Sequence, residues 1–212
     1  MYTKIPPWLC FAMLCGGSSR RMGCDKSTLT IDGTTLIERA VGNIQTSVGA
    51  QNNLFVCSNG RQYDQLSDRR PIYLRDYLPD NQGPLSALAA VLIQLRESQC
   101  TDIKWILTFP SDTLLLPCEV FDLLRQSMID KPDSQLIYLY DGRDHPLHGV
   151  YSVDVIDRLL PYLQQGNRSV MGFVERLRYQ RVEVPQSCSY LNFNTESEFN
   201  QALQAYKQYS GS

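Results

Sequence analysis

Short, almost wholly apolar runs alternate along this chain with longer segments whose apolar residues recur at helical spacing. The runs at residues 8–15 and 105–109 have the pattern of strands that are buried on both faces of a sheet. Behind Thr35, which stands at capping-box spacing from Glu38, the apolar side chains follow a helical period as far as Val48. This alternation predicts a mostly parallel sheet covered by helices on both faces.

The same criteria predict the remaining elements. Asp32-Gly33 is a tight-turn signal within residues 29–36, and Pro84 suits the first turn of a helix. Further strands are expected at residues 53–57, 71–74, 135–140, 149–153 and 179–184, and further helices at residues 119–128, 155–164, 170–177 and 195–206. We therefore expect an α/β protein built as a single-domain three-layer sandwich over residues 1–212.

Composition excludes several classes of protein. The chain has 212 residues and a formal net charge of −2, so it carries no global basic field for nucleic acid. No apolar stretch approaches the length of a membrane span, and we expect no membrane partner. Its seven cysteines form no C-x-x-C pair and are odd in number, which favours neither a disulfide framework nor a zinc ribbon. Scattered thiols indicate the reducing cytoplasm.

A loop rich in glycine and cations follows the first apolar run. Residues 14–26 read Leu-Cys-Gly-Gly-Ser-Ser-Arg-Arg-Met-Gly-Cys-Asp-Lys. Glycines let backbone N–H groups approach phosphate oxygens, and the cations neutralise their charge. The spacing is neither that of a P-loop, because two residues separate Gly23 from Lys26, nor that of the G-x-G-x-x-G fingerprint. The loop predicts a polyphosphate site; a glycine-rich surface turn with solvated arginines is the alternative.

Other polar segments are expected to reach the same region. In a parallel sheet, ligands bind beyond the carboxyl ends of the strands. Asp112 follows the buried run at residues 105–109, and Asp76 follows the predicted strand at residues 71–74. Asp112 could instead cap the next helix, and Asp76 could be a turn residue. This convergence predicts a site without yet naming its chemistry.

Several separated motifs together resemble one family. The motifs are Leu14-Cys15-Gly16-Gly17, Arg20-Arg21-Met22-Gly23, Asp25-Lys26, Asp76, Gly83-Pro84-Leu85, Pro110-Ser111-Asp112-Thr113, Asp144-His145-Pro146-Leu147, Arg168-Ser169-Val170-Met171 and Asn192-Phe193-Asn194-Thr195. In this order they resemble the MobA-type molybdenum cofactor guanylyltransferases of the nucleotidyltransferase superfamily. Cys15 stands where that pattern usually has alanine, and Leu114 replaces a common proline. The resemblance implies a Rossmann-like fold of the nucleotide-diphospho-sugar-transferase type.

The resemblance also implies an activity and a set of roles. The family transfers GMP from GTP to the terminal phosphate of molybdopterin, releasing pyrophosphate, and uses Mg²⁺. It implies a nucleotide-binding half at about residues 8–116 and an acceptor-binding half at about residues 117–207. By this resemblance the catalytic residues are Lys26, Asp112, Arg20 and Arg21; Asp112 binds the metal; Leu14, Cys15, Gly16, Gly17, Lys26, Asp76, Gly83 and Asp112 contact the nucleotide; and Asn192, Asn194 and His145 contact the acceptor.

Alternatives stay open at this point. A related enzyme could use CTP or another phosphate acceptor, and a regulator could keep the pocket without turnover. His145 and His148 lie three positions apart in a segment predicted to be extended, so we expect their side chains on opposite faces and no metal-ligand pair. We expect a monomer or weak homo-oligomer that makes transient contact with molybdenum-insertion or cofactor-chaperone proteins.

Overall fold

A seven-stranded sheet forms the centre of the molecule. The computed structural model describes residues 4–15, 26–48, 54–80, 82–184, 193 and 195–210. The strands are β1 (Leu9–Leu14), β2 (Thr30–Ile31), β3 (Thr34–Thr35), β4 (Leu54–Cys57), β5 (Ile72–Leu74), β6 (Trp105–Pro110), β7 (Leu136–Tyr140), β8 (Asp144–Ser152) and β9 (Tyr179–Glu183). The helices are α1 (Leu36–Val48), α2 (Pro84–Glu97), α3 (Pro117–Asp130), α4 (Ile156–Gln164), α5 (Val170–Val174) and α6 (Glu196–Ser210).

The strand order is β5-β4-β1-β6-β8-β7-β9, and β2 pairs with β3 in a separate hairpin. Only β8 runs against its neighbours in the large sheet, pairing antiparallel with both β6 and β7. The other pairs are parallel, so β1, β4, β5 and β6 all end at one edge of the sheet. The prediction of a mostly parallel sheet is confirmed.

Apolar side chains fill both faces of the sheet. One core cluster joins alternate residues of β1 and β6, such as Phe11 and Phe109, to α1, α3 and α6. The other joins the opposite face, including Ala12 and Ile106, to α2, α4 and α5. Side chains alternate between faces along a strand, so an apolar run with no alternation must be covered on both sides. The three-layer sandwich is therefore confirmed.

Local signals in the sequence explain several boundaries. Asp32 and Gly33 have φ values of 50° and 82°, the left-handed pair that a two-residue hairpin requires, and they join β2 to β3. The Thr35 hydroxyl accepts a hydrogen bond from the Glu38 amide at 3.2 Å, which caps α1. None of the described helices is long and apolar enough to span a membrane.

The structure departs from prediction mainly at β8 and α5. β8 begins at Asp144, earlier than the predicted start at residue 149. Its pairing with β7 is irregular, because Tyr138 pairs with Gly149 whereas the next residue, Leu139, pairs with His145. The extra residues form an irregularity that the period of the sequence does not predict. α5 ends at Val174, three residues earlier than predicted.

Candidate active site

The site lies where the order of the strands reverses. β1 is flanked by β4 on one side and by β6 on the other. The chain continues from β1 to β4 and from β6 to β7, which are opposite directions along the strand order. Ligands of α/β proteins bind in the crevice at such a point. Lys26 follows β1, and Asp112 follows β6. Both predicted residues therefore reach the same crevice, although they are 86 positions apart in sequence.

Among the described residues, two acceptors hold Lys26 at this edge. Its Nζ donates to Asp112 Oδ2 at 3.2 Å and to the carbonyl oxygen of Phe193 at 2.6 Å. The same ammonium group lies 5.6 Å from the centre of the Phe193 ring, within the range of a cation–π contact. The Lys26 side chain is 13% exposed and that of Asp112 is 30% exposed. The pair therefore faces solvent through Asp112, with the cation behind it.

Asp112 has one carboxylate oxygen to offer a ligand. Oδ2 takes the Lys26 contact, whereas Oδ1 accepts no hydrogen bond from any residue that the structure describes. Asp112 does not cap the next helix, because α3 begins at Pro117 and the Glu119 carboxylate accepts from the Leu116 amide at 2.7 Å. Leu114 is 1% exposed, so the residue that replaces the usual proline is fixed in the core.

The residues around Asp112 fit a divalent cation that shares its ligands with phosphate. Among the described residues no group of three or more His, Cys, Asp or Glu side chains could hold a metal by itself. Mg²⁺ usually binds through one or two carboxylates, with water and substrate phosphates completing its octahedron. One solvent-facing carboxylate with an unoccupied oxygen matches that pattern.

Asp76 and Gly83 follow β5 at the same edge of the sheet, and among the described residues neither makes a hydrogen bond to Lys26 or Asp112. Asp76 is half-buried and accepts no hydrogen bond within the described part of the chain, and burial raises the pKa of its carboxyl. A partly desolvated carboxylate without a partner in a cleft is typical of a ligand-binding position. Gly83 has a φ of 96° at the N-cap of α2, and a Cβ there would meet no atom of the described residues within 4 Å.

The end of β1 is tied to its neighbours through the backbone. The Cys15 amide donates to the Cys57 carbonyl at 2.8 Å, and the Leu14 carbonyl accepts from the Ser111 amide at 3.1 Å. These bonds join the exits of β1, β4 and β6 into one rigid edge. The amide of Cys15 and the carbonyl of Leu14 are thus already bonded, and their predicted nucleotide contacts stay predictions.

The expectation that the two histidines lie on opposite faces is wrong. The rings of His145 and His148 meet edge to face, with centroids 6.0 Å apart. The irregularity in β8 breaks the strand period between them and turns both rings to one side. His145 Nε2 also lies 2.8 Å from Asp141 Oδ1. If His145 contacts the acceptor as predicted, it does so through its other ring atoms or together with Asp141.

Six predicted site residues lie outside the described part of the chain. They are Gly16, Gly17, Arg20, Arg21, Asn192 and Asn194. Phe193, between the two asparagines, is described, and sequence reasoning missed its contact with Lys26. Phe193 belongs to the Asn-Phe-Asn-Thr motif, so the motif did indicate this segment. The contact was missed because it is made by a backbone carbonyl, and the prediction considered only polar side chains. The contact brings Phe193, three residues before α6, to the crevice.

Comparison with known proteins identifies the relatives. A family model described as the MobA-like NTP transferase domain matches residues 11–182. The molybdenum cofactor guanylyltransferase of Haemophilus influenzae (strain 86-028NP) is 30% identical over 195 residues, covering 90% of this chain and 95% of its own. A probable molybdenum cofactor guanylyltransferase of Synechococcus elongatus is 30% identical, covering 91% and 96%.

A solved structure supports the same architecture. The molybdopterin-guanine dinucleotide biosynthesis protein A of Archaeoglobus fulgidus superposes with a TM-score of 0.67 at 21% identity. The match covers 93% of this chain and 98% of that protein. At this level of identity the likeness shows the fold.

Proposed function

The chain belongs to the MobA-like NTP transferase family, and on that premise we propose that it transfers GMP from GTP to the terminal phosphate of molybdopterin. The product would serve the bis(molybdopterin guanine dinucleotide) form of the molybdenum cofactor. The observation that carries the proposal is the contact of Lys26 with Asp112 at the switch point of the sheet. In this contact a cation and a carboxylate lie together at the edge where we expect the triphosphate to bind.

The reaction asks little of side chains as acids or bases. An oxygen of the acceptor phosphate forms a bond to the α-phosphorus of GTP, and the bond from that phosphorus to the bridging oxygen breaks. Pyrophosphate leaves with the electron pair of the broken bond. The nucleophile is already an anion, so the barrier lies in bringing negative groups together and stabilising charge around the α-phosphorus.

The residues assigned to the site suit that electrostatic task. Lys26 would hold the triphosphate together with Arg20 or Arg21. Members of this family use a divalent metal, and we assign it as Mg²⁺ held by Asp112 through the oxygen that Lys26 leaves unoccupied. When bound, the ion would neutralise the phosphate oxygens and favour the departure of pyrophosphate.

The two sides of the crevice would divide the substrates. We assign Leu14, Cys15, Gly16, Gly17, Asp76 and Gly83 to the nucleotide, and Asn192, Asn194 and His145 to molybdopterin. Asp76 would face the base or ribose, where a hydrogen-bonded ligand would compensate the burial of its carboxylate. The division follows the nucleotide-binding half at about residues 8–116 and the acceptor-binding half at about residues 117–207.

The setting of the reaction is also part of the proposal. Cys10, Cys57, Cys100 and Cys118 are thiols, which suits the reducing cytoplasm. We propose that the protein acts there as a monomer or weak homo-oligomer. It would pass its product on through transient contact with molybdenum-insertion or cofactor-chaperone proteins.

Pyrophosphate release with molybdopterin and GTP, compared with CTP in place of GTP, tests the function. Asp112→Ala should lower the rate by at least about 100-fold, because it removes the metal-binding carboxylate, while the protein stays folded. Asp102→Ala is the matched control, since Asp102 is exposed in the turn before β6, at the other edge of the sheet. Its rate should equal that of the wild type.

The outcomes separate the alternatives. Faster release with CTP would favour a cytidylyltransferase, and tight GTP binding without turnover would favour a regulator. Full activity of Asp112→Ala would rule out the metal assignment.

A further inference from the structure

Arg168 lies at the same edge of the sheet as the crevice. It takes no part in the contacts of Lys26 with Asp112 and Phe193. It lies in the loop between α4 and α5. β8 runs antiparallel to its neighbours, so α4 returns toward the edge at which β6 ends, packed against α2. Arg168 Nε donates to Gln82 Oε1 at 2.7 Å, and Gln82 directly precedes the N-cap of α2. The arginine therefore joins the two halves of the chain at the crevice.

The guanidinium group is held in place without being neutralised. Nη1 donates to the carbonyl oxygens of Leu163 at 2.8 Å and Asn167 at 2.6 Å. These two acceptors and Gln82 Oε1 are all uncharged. No described carboxylate lies within 4.0 Å of Arg168, and Nη2 donates to no described residue. The side chain thus keeps its full positive charge and two N–H groups.

This arrangement suits an oxyanion better than it suits a structural tie. An arginine that serves only to join loops has no need of an uncompensated charge in a half-buried position, where desolvation is unfavourable. Arginine binds phosphate through short, charge-assisted hydrogen bonds, and a fixed guanidinium plane loses little entropy on binding. The three bonds to neutral acceptors supply that fixed plane.

We propose that Arg168 binds a phosphate group of one of the two substrates through Nη2. The identity of those substrates rests on the proposed function, but the presence of a phosphate site does not. GTP and molybdopterin both bring phosphate to this edge, and the experiment distinguishes them.

Direct binding of GTP and of molybdopterin to the full chain, each measured separately by calorimetry, tests the proposal. Arg168→Gln should raise the Kd of one of them by about 10- to 100-fold, the usual effect of losing a hydrogen bond to a charged group. Arg168→Lys should recover part of the affinity because it keeps the charge and loses the fork. Arg158→Gln is the matched control: Arg158 lies on α4 and donates to the Arg176 carbonyl at 3.1 Å. Its Kd values should match those of the wild type.

Each outcome decides the matter. Weaker GTP binding assigns the nucleotide phosphates to Arg168, and weaker molybdopterin binding assigns the acceptor phosphate. A lower melting temperature of Arg168→Gln with both Kd values unchanged at a temperature where it is folded would overturn the proposal, because the arginine would then only tie the loops. If the wild type released no pyrophosphate while Arg168 still governed binding, the proposed function would fail and the phosphate site would stand.

Discussion

Lys26 and Asp112 show how two ionised side chains can be kept ready for a charged substrate. Each offsets the charge of the other across 3.2 Å, which reduces the free-energy penalty of holding them partly out of water. The Phe193 carbonyl gives the ammonium group a second acceptor and so fixes its position. A preorganised pair of this kind needs little rearrangement when phosphate and metal arrive.

His148 predicts a pH dependence of stability at the same scale. The ring is 3% exposed, and its Nε2 has no hydrogen-bond partner in the described part of the molecule. Burial, with a smaller contribution from His145, lowers the pKa of His148 to about 3 from 6.5. Between pH 3 and pH 6.5, His148 is protonated in the unfolded chain and neutral in the folded chain. The stabilisation from neutral His148 is therefore full above pH 6.5 and is lost as the pH falls toward 3.

Urea unfolding of the wild type and of His148→Leu between pH 4.5 and 7.5 would measure this effect. The free energy of unfolding of the wild type should fall relative to the variant by up to about 1.4 kcal/mol per pH unit below pH 6.5. Contributions of titrating groups that do not interact with His148 cancel in the difference between the two proteins, whereas His145 and Asp141 do interact with it. Parallel curves would show that the folded and unfolded chains bind the proton at His148 equally well.

At the scale of the element, β8 is a strand with irregular pairing. It lies between β6 and β7, and its register with β7 shifts between Gly149 and His145. At Gly149 the neighbouring strand approaches so closely that a Cβ would lie 2.8 Å from the Ile137 carbonyl oxygen and 2.9 Å from Tyr138 Cβ. The close approach of the strands therefore requires glycine at this position. The slip in pairing lies just before Gly149 in the chain and brings the two histidine rings together.

Gly149→Ala should lower the free energy of unfolding by about 1–3 kcal/mol, because backbone atoms must move to admit the methyl group. Gly42→Ala is the matched control on α1. Among the described atoms its Cβ would meet Arg69 Nη1 alone, at an ordinary 3.5 Å. Alanine favours a helix, so we expect a gain of about 0.5–1 kcal/mol. Equilibrium urea unfolding measures both values, and a neutral Gly149→Ala would contradict the close approach.

At the scale of the whole molecule, the C-terminal part of the chain helps to build a site that begins near the N-terminus. Lys26 and the Phe193 carbonyl are 167 positions apart. The Phe193 ring packs against Phe199 of α6 with centroids 4.9 Å apart, and both rings are buried. The core around α6 therefore sets the position of an acceptor for Lys26.

Phe199→Leu tests this long-range support. The smaller side chain should let Phe193 shift, and because small misplacements near reacting groups are costly, we expect kcat to fall by about tenfold. The steady-state rate of pyrophosphate release is measured at a temperature where circular dichroism shows the variant to be folded. Leu203→Ala, a change in another core-facing residue of α6, serves as the control. Equal losses in both variants would mean that general loosening of α6, and not Phe193, lowers the rate.

The sequence alone determined the order of the elements, the mostly parallel sheet and the two polar positions that lead the site. Apolar runs such as residues 105–109 and the capping pair Thr35–Glu38 are local signals, because burial on both faces and helix capping each act over a few residues. Lys26 and Asp112 could be named because strand ends in such a sheet converge at one edge.

Only the tertiary structure decided which partners these residues meet. The Phe193 carbonyl on Lys26, the contact of Arg168 with Gln82 and the meeting of the two histidine rings all join segments whose distance depends on packing and register. Every residue has a backbone carbonyl, so the residue type does not indicate which partner that carbonyl meets. A slip in strand pairing moves side chains to the face opposite to the one that a regular period predicts. The composition of the site was therefore local information, whereas its geometry was fixed by the whole fold.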